Sequence, residues 1–194
     1  LETQGVWGKR AESDSIIEEL YNKKVLVLGT GSIGVNIAKR LNAFDCEMIG
    51  INSSGKLVDN FSKTYPLSEV YDVLSDVDVV VGALPLNDAT RNLYDAKFFK
   101  QMKDGSIFIN VGRGPSLVVS DLEEALEENV AHAYLDVLPV EPLAKNSPLY
   151  RNPKLSITPH NSSSSKIVID RLKELVIKNL EYYRNNDSLI NKVI

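Results

Sequence analysis

The 194-residue chain has little of several features that mark particular classes of protein. Its single cysteine, Cys46, excludes an internal disulfide and predicts a reducing compartment such as the cytoplasm. Its 22 Lys and Arg residues are fewer than its 26 Asp and Glu residues and form no run, so we expect no nucleic-acid partner. The sequence contains no apolar stretch long enough to span a bilayer and no signal-peptide pattern, so we expect no membrane partner.

What the chain does contain is an alternation of short apolar runs with segments of helical periodicity. The apolar runs predict strands at 24–28, 47–51, 77–84, 106–111, 132–137 and 155–158. Helices are predicted at 32–44, 69–75, 95–102 and 121–128, with one long helix after the serine run at 162–165. Segment 52–66 is polar and is predicted to be a loop. The alternation predicts one α/β domain of the Rossmann type, a doubly wound parallel sheet in three layers.

Two details of the helices can be predicted from side-chain chemistry. Ser120 is a candidate N-cap for the helix at 121–128, with Glu123 at the capping-box position, and one serine of 162–165 is a candidate N-cap for the last helix. That last helix carries an apolar stripe, which we interpret as core packing rather than as a partner-binding face. The stripe consists of Val168, Leu172, Leu175, Val176, Leu180 and Tyr183.

The sequence Gly-Thr-Gly-Ser-Ile-Gly at 29–34 follows the first predicted strand and opens the first predicted helix. In this context the first glycine permits a tight turn, the second lets the backbone approach a pyrophosphate, and the third lets the helix pack closely on the strand. The alternative, a glycine-rich turn without a ligand, is disfavoured by this context. We therefore predict a dinucleotide site whose pyrophosphate is bound by Gly29, Gly31, Ser32, Ile33 and Gly34.

The residues after the second predicted strand should contact the adenosine ribose of such a dinucleotide. An acidic residue at this position accepts hydrogen bonds from the ribose hydroxyls and repels a 2′-phosphate. Here Asn52 takes that position and is followed by Ser53, Ser54 and Lys56. Hydroxyls and a lysine could bind a 2′-phosphate, and the Asn52 amide could equally contact the ribose. The choice between NAD and NADP therefore stays open.

Four further motifs follow in order: ALPLNDATRNLYD at 83–95, INVGRGPSLV at 109–118, YLDVLPVEPL at 134–143 and ITPH at 157–160. Together with the glycine motif they closely resemble the nucleotide-binding domain of the D-isomer-specific 2-hydroxyacid dehydrogenases. The resemblance runs from about Gln4 and Trp7 to the C-terminal helix. Several motifs in a matching order are far more specific than any one of them.

The resemblance implies three catalytic residues. Arg113 matches the arginine that binds the substrate carboxylate and carbonyl, His160 matches the general acid/base, and Glu141 matches the carboxylate paired with that histidine. These residue types suit the reaction, because reduction of a 2-oxo acid needs a proton at the carbonyl oxygen as hydride reaches the carbon. A carboxylate beside the imidazole favours its charged form, and a guanidinium offers a planar fork to a carboxylate.

The resemblance also implies a cofactor pocket. Asp136 matches the residue that holds the nicotinamide carboxamide, and Leu84, Pro85, Val111 and Gly112 match positions that wall the pocket. The other histidine, His132, lies in no motif, and we expect it to be structural or exposed. We predict no metal ion.

Family members carry a second domain, and the resemblance implies that residues 1–194 are the cofactor domain of a larger two-domain enzyme. Region 163–194 would include the helix that returns towards the substrate domain. Two departures flank the substrate pocket: Val118 stands where many relatives have an acidic or amide residue, and Asn161 stands where many have an apolar one. Neither removes a catalytic group. A homodimer formed through the cofactor domains is also implied.

We therefore expect an NAD(P)-dependent oxidoreductase that interconverts a small 2-oxo acid and a D-2-hydroxy acid. The main alternative is a dinucleotide-sensing binding protein on the same scaffold, like the corepressors that resemble these enzymes. A relative of adenosylhomocysteine hydrolase is disfavoured by the ordered GRG, EP and TPH motifs. The isolated chain should bind the cofactor but have little or no activity, since the resemblance puts the other side of the substrate cleft in the second domain.

Overall fold

The computed structural model describes residues 18–191, and its framework is a seven-stranded parallel sheet. The strands are β1 (Lys24–Leu28), β2 (Glu47–Asn52), β3 (Lys63–Pro66), β4 (Val79–Gly82), β5 (Ser106–Asn110), β6 (Val130–Leu135) and β7 (Leu155–Ile157). Their order across the sheet is β3-β2-β1-β4-β5-β6-β7. The winding direction therefore reverses between β1 and β4, and in parallel α/β sheets ligands bind at the carboxyl ends of the strands near such a point.

Helices cover both faces of this sheet. They are α1 (Ser32–Leu41), α2 (Val70–Val73), α3 (Ala96–Gln101) and α4 (Val119–Glu127), followed by the C-terminal α5 (Val168–Asn185). Helix α1 packs on one face, while α2, α3 and α4 pack on the other. The predicted three-layer Rossmann-type fold is thus confirmed.

The central strands are buried on both faces, which is why they read as unbroken apolar runs. In β1, Val25 and Val27 face α1, whereas Leu26 and Leu28 face the larger cluster under α3 and α4. That larger cluster has an aromatic centre in which Phe108 meets neighbouring rings edge to face, at centroid distances of 5.0 Å to Tyr94 and 5.2 Å to Phe99.

Strand β3 lies where a loop was predicted. It pairs in parallel with β2, with Ile49 opposite Lys63 and Ile51 opposite Tyr65. It is an edge strand, so it pairs with a neighbouring strand on one side only, and its sequence is largely polar. A strand of this kind has no apolar run, so periodicity cannot reveal it.

The predicted serine N-cap of the helix at 121–128 is wrong. Helix α4 begins at Val119 with Val118 as its N-cap, so Ser120 lies inside the first turn and its hydroxyl donates to Asp121 Oδ1 (3.1 Å). The other Asp121 oxygen, Oδ2, accepts from the Ala96 N–H (2.7 Å). The backbone stays extended up to Val118 because Val118 N–H donates to the Tyr94 carbonyl (3.1 Å). Tertiary pairing therefore sets the start of this helix.

Helix α5 departs from two predictions. Its N-cap is Ile167, which makes no side-chain cap, and Ser165 Oγ accepts from the Ile167 N–H just before the helix (3.2 Å). Its apolar stripe does not join the core of the described chain, since no residue of α5 is buried and Tyr183 is 74% exposed. Helical periodicity identifies an apolar face but not what covers it. None of the helices between residues 18 and 191 is long and apolar enough to cross a membrane.

Candidate active site

The predicted site residues lie together at the carboxyl edge of the sheet. Residues 29–34 follow β1, Asn52 ends β2 and is followed by 53 and 54, 84 and 85 follow β4, 111–113 follow β5, 136 and 141 follow β6, and 160 follows β7. Backbone pairing continues past the strand ends into these segments, as when Gly29 N–H donates to the Ile51 carbonyl (2.8 Å) and Asp136 N–H donates to the Asn110 carbonyl (3.0 Å). The sheet therefore holds each segment close to its neighbour.

The glycine-rich turn after β1 has no room for side chains at two positions. Gly29 has φ of +108°, and a Cβ there would lie 2.6 Å from the Ala83 carbonyl oxygen. A Cβ at Gly34 would lie 1.9 Å from the Gly29 carbonyl oxygen. These two glycines allow β1, α1 and the segment after β4 to meet.

Gly31 differs, because a Cβ there would meet no atom within 4 Å. It is the N-cap of α1 and offers no side-chain cap, and the first turn of the helix contains no acidic residue. The N–H groups of Ser32 and Ile33 lie in that turn, where an α-helix provides no internal acceptors, and both residues are exposed. Open space beside uncapped N–H groups fits a bound pyrophosphate.

The Asn52 side chain joins two loops at the end of β2. Its Nδ2 donates to Thr30 Oγ1 (3.1 Å) in the glycine-rich turn and to the Lys56 carbonyl (3.0 Å). Its Oδ1 accepts from the N–H groups of Ser54 (3.0 Å) and Gly55 (2.7 Å). The serine and lysine side chains of this loop remain exposed beside the turn.

The loop after β5 carries Arg113, which is exposed and donates through Nη1 to the Gly112 carbonyl (2.8 Å). Asn110 is fully buried beneath the loop, where its Oδ1 accepts from Gly112 N–H (3.0 Å) and its Nδ2 donates to the Arg113 carbonyl (3.4 Å). A Cβ at Gly114 would lie 1.9 Å from the Leu138 carbonyl oxygen, so the loops after β5 and β6 touch. Asn110 was not predicted as part of the site, although an amide that ends an otherwise apolar strand was the available signal.

The structure brings His160 and Glu141 together. His160 Nδ1 lies 2.7 Å from Glu141 Oε2, and Glu141 Oε1 accepts from the Leu138 N–H (2.8 Å). The hydrogen bond with His160, and then that with Leu138, lowers the pKa of Glu141 below its usual value. The His160 side chain is 51% exposed and the Glu141 side chain is 36% exposed, so a small molecule can reach the imidazole.

Asp136 is buried beside this pair. It accepts from Thr158 Oγ1 (2.6 Å) and Asn161 N–H (3.0 Å) on Oδ1, and from Ser162 N–H (3.1 Å) on Oδ2. Burial alone would raise its pKa, but the hydrogen bonds from Ser162, Thr158 and Asn161 outweigh burial and lower the pKa of Asp136 to about 2. The contact of Asp136 with a nicotinamide stays a prediction.

A cavity of about 500 Å³ opens beside the pair of His160 and Glu141. Its walls are largely apolar and include Leu138, Leu143, Tyr150 and Ile157. A smaller cleft of about 230 Å³ lies at the opposite edge of the sheet, among charged side chains that pair with one another, and none of the predicted site residues lines it.

The remaining predicted residues occupy the pocket edge or the scaffold. Leu84 is half-buried and Pro85 is exposed, and the Thr90 hydroxyl donates to the Pro85 carbonyl (2.7 Å). Gly112 packs on the segment after β4, since a Cβ there would lie 3.0 Å from the Leu84 carbonyl oxygen. His132 lies within β6, with Nε2 3.0 Å from Ser156 Oγ, and it takes no part in this edge.

Comparisons with known proteins identify the family of the chain. The family model for the NAD-binding domain of D-isomer specific 2-hydroxyacid dehydrogenases matches residues 2–162. The glyoxylate reductase of Pyrococcus horikoshii is 31% identical over 180 residues, which make up 91% of this chain and 54% of that protein. The chain thus spans about half the length of this curated relative.

Several solved structures match the whole chain. A D-isomer specific 2-hydroxyacid dehydrogenase family protein from Aeromonas salmonicida superposes with a TM-score of 0.86 at 33% identity, over 100% of this chain and 60% of that one. An NADPH-dependent glyoxylate/hydroxypyruvate reductase from Sinorhizobium meliloti, solved with NADP and sulfate, superposes with a TM-score of 0.85 at 28% identity, over 100% and 60%. By sequence and by fold, the chain belongs to the D-isomer specific 2-hydroxyacid dehydrogenase family and carries its NAD-binding domain.

Proposed function

We propose that this chain is the cofactor-binding half of an oxidoreductase that interconverts a 2-oxo acid and a D-2-hydroxy acid. The observation that carries the proposal is the contact of 2.7 Å between His160 and Glu141. This acid/base pair lies at the same edge of the sheet as the glycine-rich turn that fits a pyrophosphate. The dinucleotide, when bound, supplies or accepts the hydride.

His160 moves the proton in this proposal. Its Nδ1 is engaged by Glu141, so its Nε2 is the nitrogen that faces substrate. During reduction Nε2–H donates to the oxygen of the 2-oxo group, and during oxidation Nε2 accepts the proton of the hydroxyl. Glu141 stays ionised because its pKa is lowered, and its charge favours the protonated imidazole that reduction requires.

Arg113 orients the substrate. Its side chain is exposed beside the glycine-rich edge, and its Nη1 donates to the Gly112 carbonyl. The rest of the guanidinium fork can then bind the substrate carboxylate in a bidentate geometry and polarise the adjacent carbonyl. Such a clamp supplies the orientation that turns a bimolecular encounter into a positioned reaction.

We further propose that NADPH binds at least as well as NADH. No acidic residue occurs from 52 to 58, so the residues that directly follow β2 carry no charge that would repel a 2′-phosphate, and the first carboxylate along the loop is that of Asp59. The exposed Ser53, Ser54 and Lys56 offer hydroxyls and a positive charge to one. The similar reductase from Sinorhizobium meliloti, described as NADPH-dependent, was solved with NADP.

We also propose that the chain works with a second, substrate-binding domain. Its solved relatives extend well beyond the part that it matches. The exposed apolar face of α5 supports the idea that region 163–194 leads back to that domain. A homodimer through the cofactor domains belongs to the same proposal, and light scattering after size exclusion tests it.

Steady-state kinetics test the function directly. A protein of the relatives' full length that contains this chain, here called the full-length protein, is assayed with glyoxylate, hydroxypyruvate and other 2-oxo acids and with both cofactors. We expect reduction of at least one small 2-oxo acid to its D-2-hydroxy acid.

The 194-residue chain alone should bind the dinucleotide with little or no turnover, because water reaches the open site and one wall of the cleft is lacking. Near-normal turnover by the chain would contradict the two-domain proposal. Dinucleotide binding by the full-length protein without turnover of any 2-oxo acid would favour the dinucleotide-sensing alternative.

A further inference from the structure

The turn that carries His160 is fastened to the sheet by the Thr158 N–H, which donates to the Leu135 carbonyl (2.9 Å), and by one buried carboxylate. We propose that Asp136 is a positioning residue that sets the geometry of His160 for proton transfer, an inference that rests on the proposed function. Asp136 acts through the backbone of the turn and does not touch the imidazole in this arrangement.

The contacts of Asp136 lie on both sides of the histidine. Before His160 in sequence, the Thr158 hydroxyl donates to Oδ1 at 2.6 Å. After it, Asn161 N–H donates to Oδ1 at 3.0 Å and Ser162 N–H donates to Oδ2 at 3.1 Å. Asp136 is only 6% exposed and extends the pairing of β6, so these three bonds tie the turn to a rigid support.

The turn needs such support because of the backbone conformation at its centre. His160 has φ of +52°, in the left-handed region that residues other than glycine rarely adopt. Its N–H donates to the Thr158 carbonyl (3.0 Å), which closes a tight turn around Pro159. A strained conformation of this kind persists only where the surrounding structure over-determines it. The three hydrogen bonds to Asp136 help to hold the turn in this conformation.

The imidazole itself is held from the other end. Glu141 Oε2 meets Nδ1, and Glu141 is in turn held by the Leu138 N–H. Asp136 therefore determines where the ring is, and Glu141 determines how it is rotated. If the turn relaxes, the contact between Glu141 and Nδ1 is lost with it, although both side chains are still present.

The histidine content of the chain gives this inference a direct readout. The chain has two histidines, so NMR of the ring nitrogens follows His160 with His132 as an internal control. Glu141 Oε2 lies at Nδ1 and so favours the neutral ring with its proton on Nδ1, and loss of this contact should move the ring ¹⁵N signals of His160 towards the other tautomer. The variant Glu141→Ala sets the reference position for that loss.

The decisive variant is Thr158→Val, which removes one donor to Asp136 and changes no charge. We expect the His160 ring ¹⁵N signals to move towards their positions in the Glu141→Ala variant. Thr158→Ser, which keeps the hydroxyl, should leave them at their positions in the parent chain. In the double variant Thr158→Val/Glu141→Ala they should match those of Glu141→Ala alone, because both changes break the same contact.

Asp136→Asn should move the His160 ring signals in the same direction, since an amide Nδ2 cannot accept from the Ser162 N–H. Asp121→Asn is the matched control, because Asp121 also accepts a backbone N–H, from Ala96, and lies on α4 away from the site. It should leave both histidines unchanged. If Asp136→Asn does not fold, the Thr158 variants still decide the question.

The inference is overturned if Thr158→Val and Asp136→Asn leave the His160 ring ¹⁵N signals in place. It is also overturned if Asp136→Asn weakens dinucleotide binding while those signals stay at their positions in the parent chain, which would make Asp136 a cofactor contact alone. None of these measurements requires turnover. An absence of 2-oxo-acid reduction by the full-length protein would therefore contradict the proposed function and leave the positioning role of Asp136 to be judged on the ring signals.

Discussion

The two halves of the carboxyl edge use their hydrogen-bonding groups in opposite ways. After β1, the described chain leaves the N–H groups of Ser32 and Ile33 uncapped next to the open space at Gly31. After β5, β6 and β7, backbone N–H groups are taken up by the buried side chains of Asn110 and Asp136. The half around Gly31 offers uncapped donors to a charged ligand, whereas the half around His160 uses its donors to fix its own loops.

This contrast separates binding from chemistry along one edge of the sheet. Changes in the half around Gly31 should weaken dinucleotide binding, since the donors that meet the pyrophosphate are there. Changes in the half around His160 should lower turnover while dinucleotide affinity is kept, since that half holds the acid/base pair. Five substitutions, in four tests, can break or sharpen this comparison.

The largest effect is expected from His160→Ala in the full-length protein. General acid/base catalysis contributes on the order of 10²–10⁴-fold, so kcat should fall by about that factor. The dissociation constant for the dinucleotide, measured by nicotinamide fluorescence, should change little. His132→Ala is the matched control and should keep kcat. A large loss of dinucleotide affinity in the His160 variant would contradict the separation of binding from chemistry along this edge.

The glycine-rich turn allows a paired test in the binding half. Gly34→Ala places a Cβ against the Gly29 carbonyl and should destabilise the chain by about 1–3 kcal/mol, as overpacking does. Gly31→Ala has free space for its Cβ, so the thermal midpoint should stay, while dinucleotide binding weakens by roughly tenfold or more, or about 1.4 kcal/mol. Equal thermal midpoints for the two variants would mean that the close approach at Gly34 is not needed.

Glu141→Gln should change the pH dependence of the reaction. The carboxylate has a lowered pKa and is ionised throughout the neutral range, where its charge favours the imidazolium that donates the proton. Without that charge, the pH at which reduction falls off should move to lower values. Profiles of kcat against pH for the parent and the variant measure the shift, and superimposable profiles would remove Glu141 from the mechanism.

The smallest effect is expected from Asn52→Asp. A carboxylate at this position would repel a 2′-phosphate and accept from the ribose hydroxyls, so the preference should move towards NADH. The ratio of the two dissociation constants in the parent and in the variant gives the answer. A strong preference of the parent chain for NADH would contradict the proposal of NADPH binding and make Asn52 a ribose contact.

The central fold could be predicted because its determinants are local in sequence. Strands such as β1 and β4 are buried on both faces and therefore read as apolar runs, and the glycine-rich turn carries its spacing in the sequence. Strand β3 could not be found in this way, because it owes its pairing to β2 and not to a pattern of its own. The start of α4 likewise depends on pairing with a distant segment, at Tyr94.

The candidate site likewise has a part that could be predicted from the sequence and a part that could not. The resemblance identified Glu141 and His160, and the structure brings them into contact. The residues that hold the loops, Asn110 and Thr158, were missed as supports, because a single polar side chain that faces inwards at the end of a strand or just after it leaves no periodic signal. Their roles depend on which backbone groups come within reach after folding.

The exposure of α5 has a consequence for how the chain resists unfolding. A helix with no buried residue contributes little to the free energy that holds the sheet together, so it can open without opening the rest. Native-state hydrogen exchange should therefore divide the chain into two levels. The amides of β1, β4 and β5 should exchange only with global unfolding, and those of α5 should exchange through local fraying many times faster. The same division gives a protease a preferred place to cut, in the segment between His160 and α5, while the sheet remains folded.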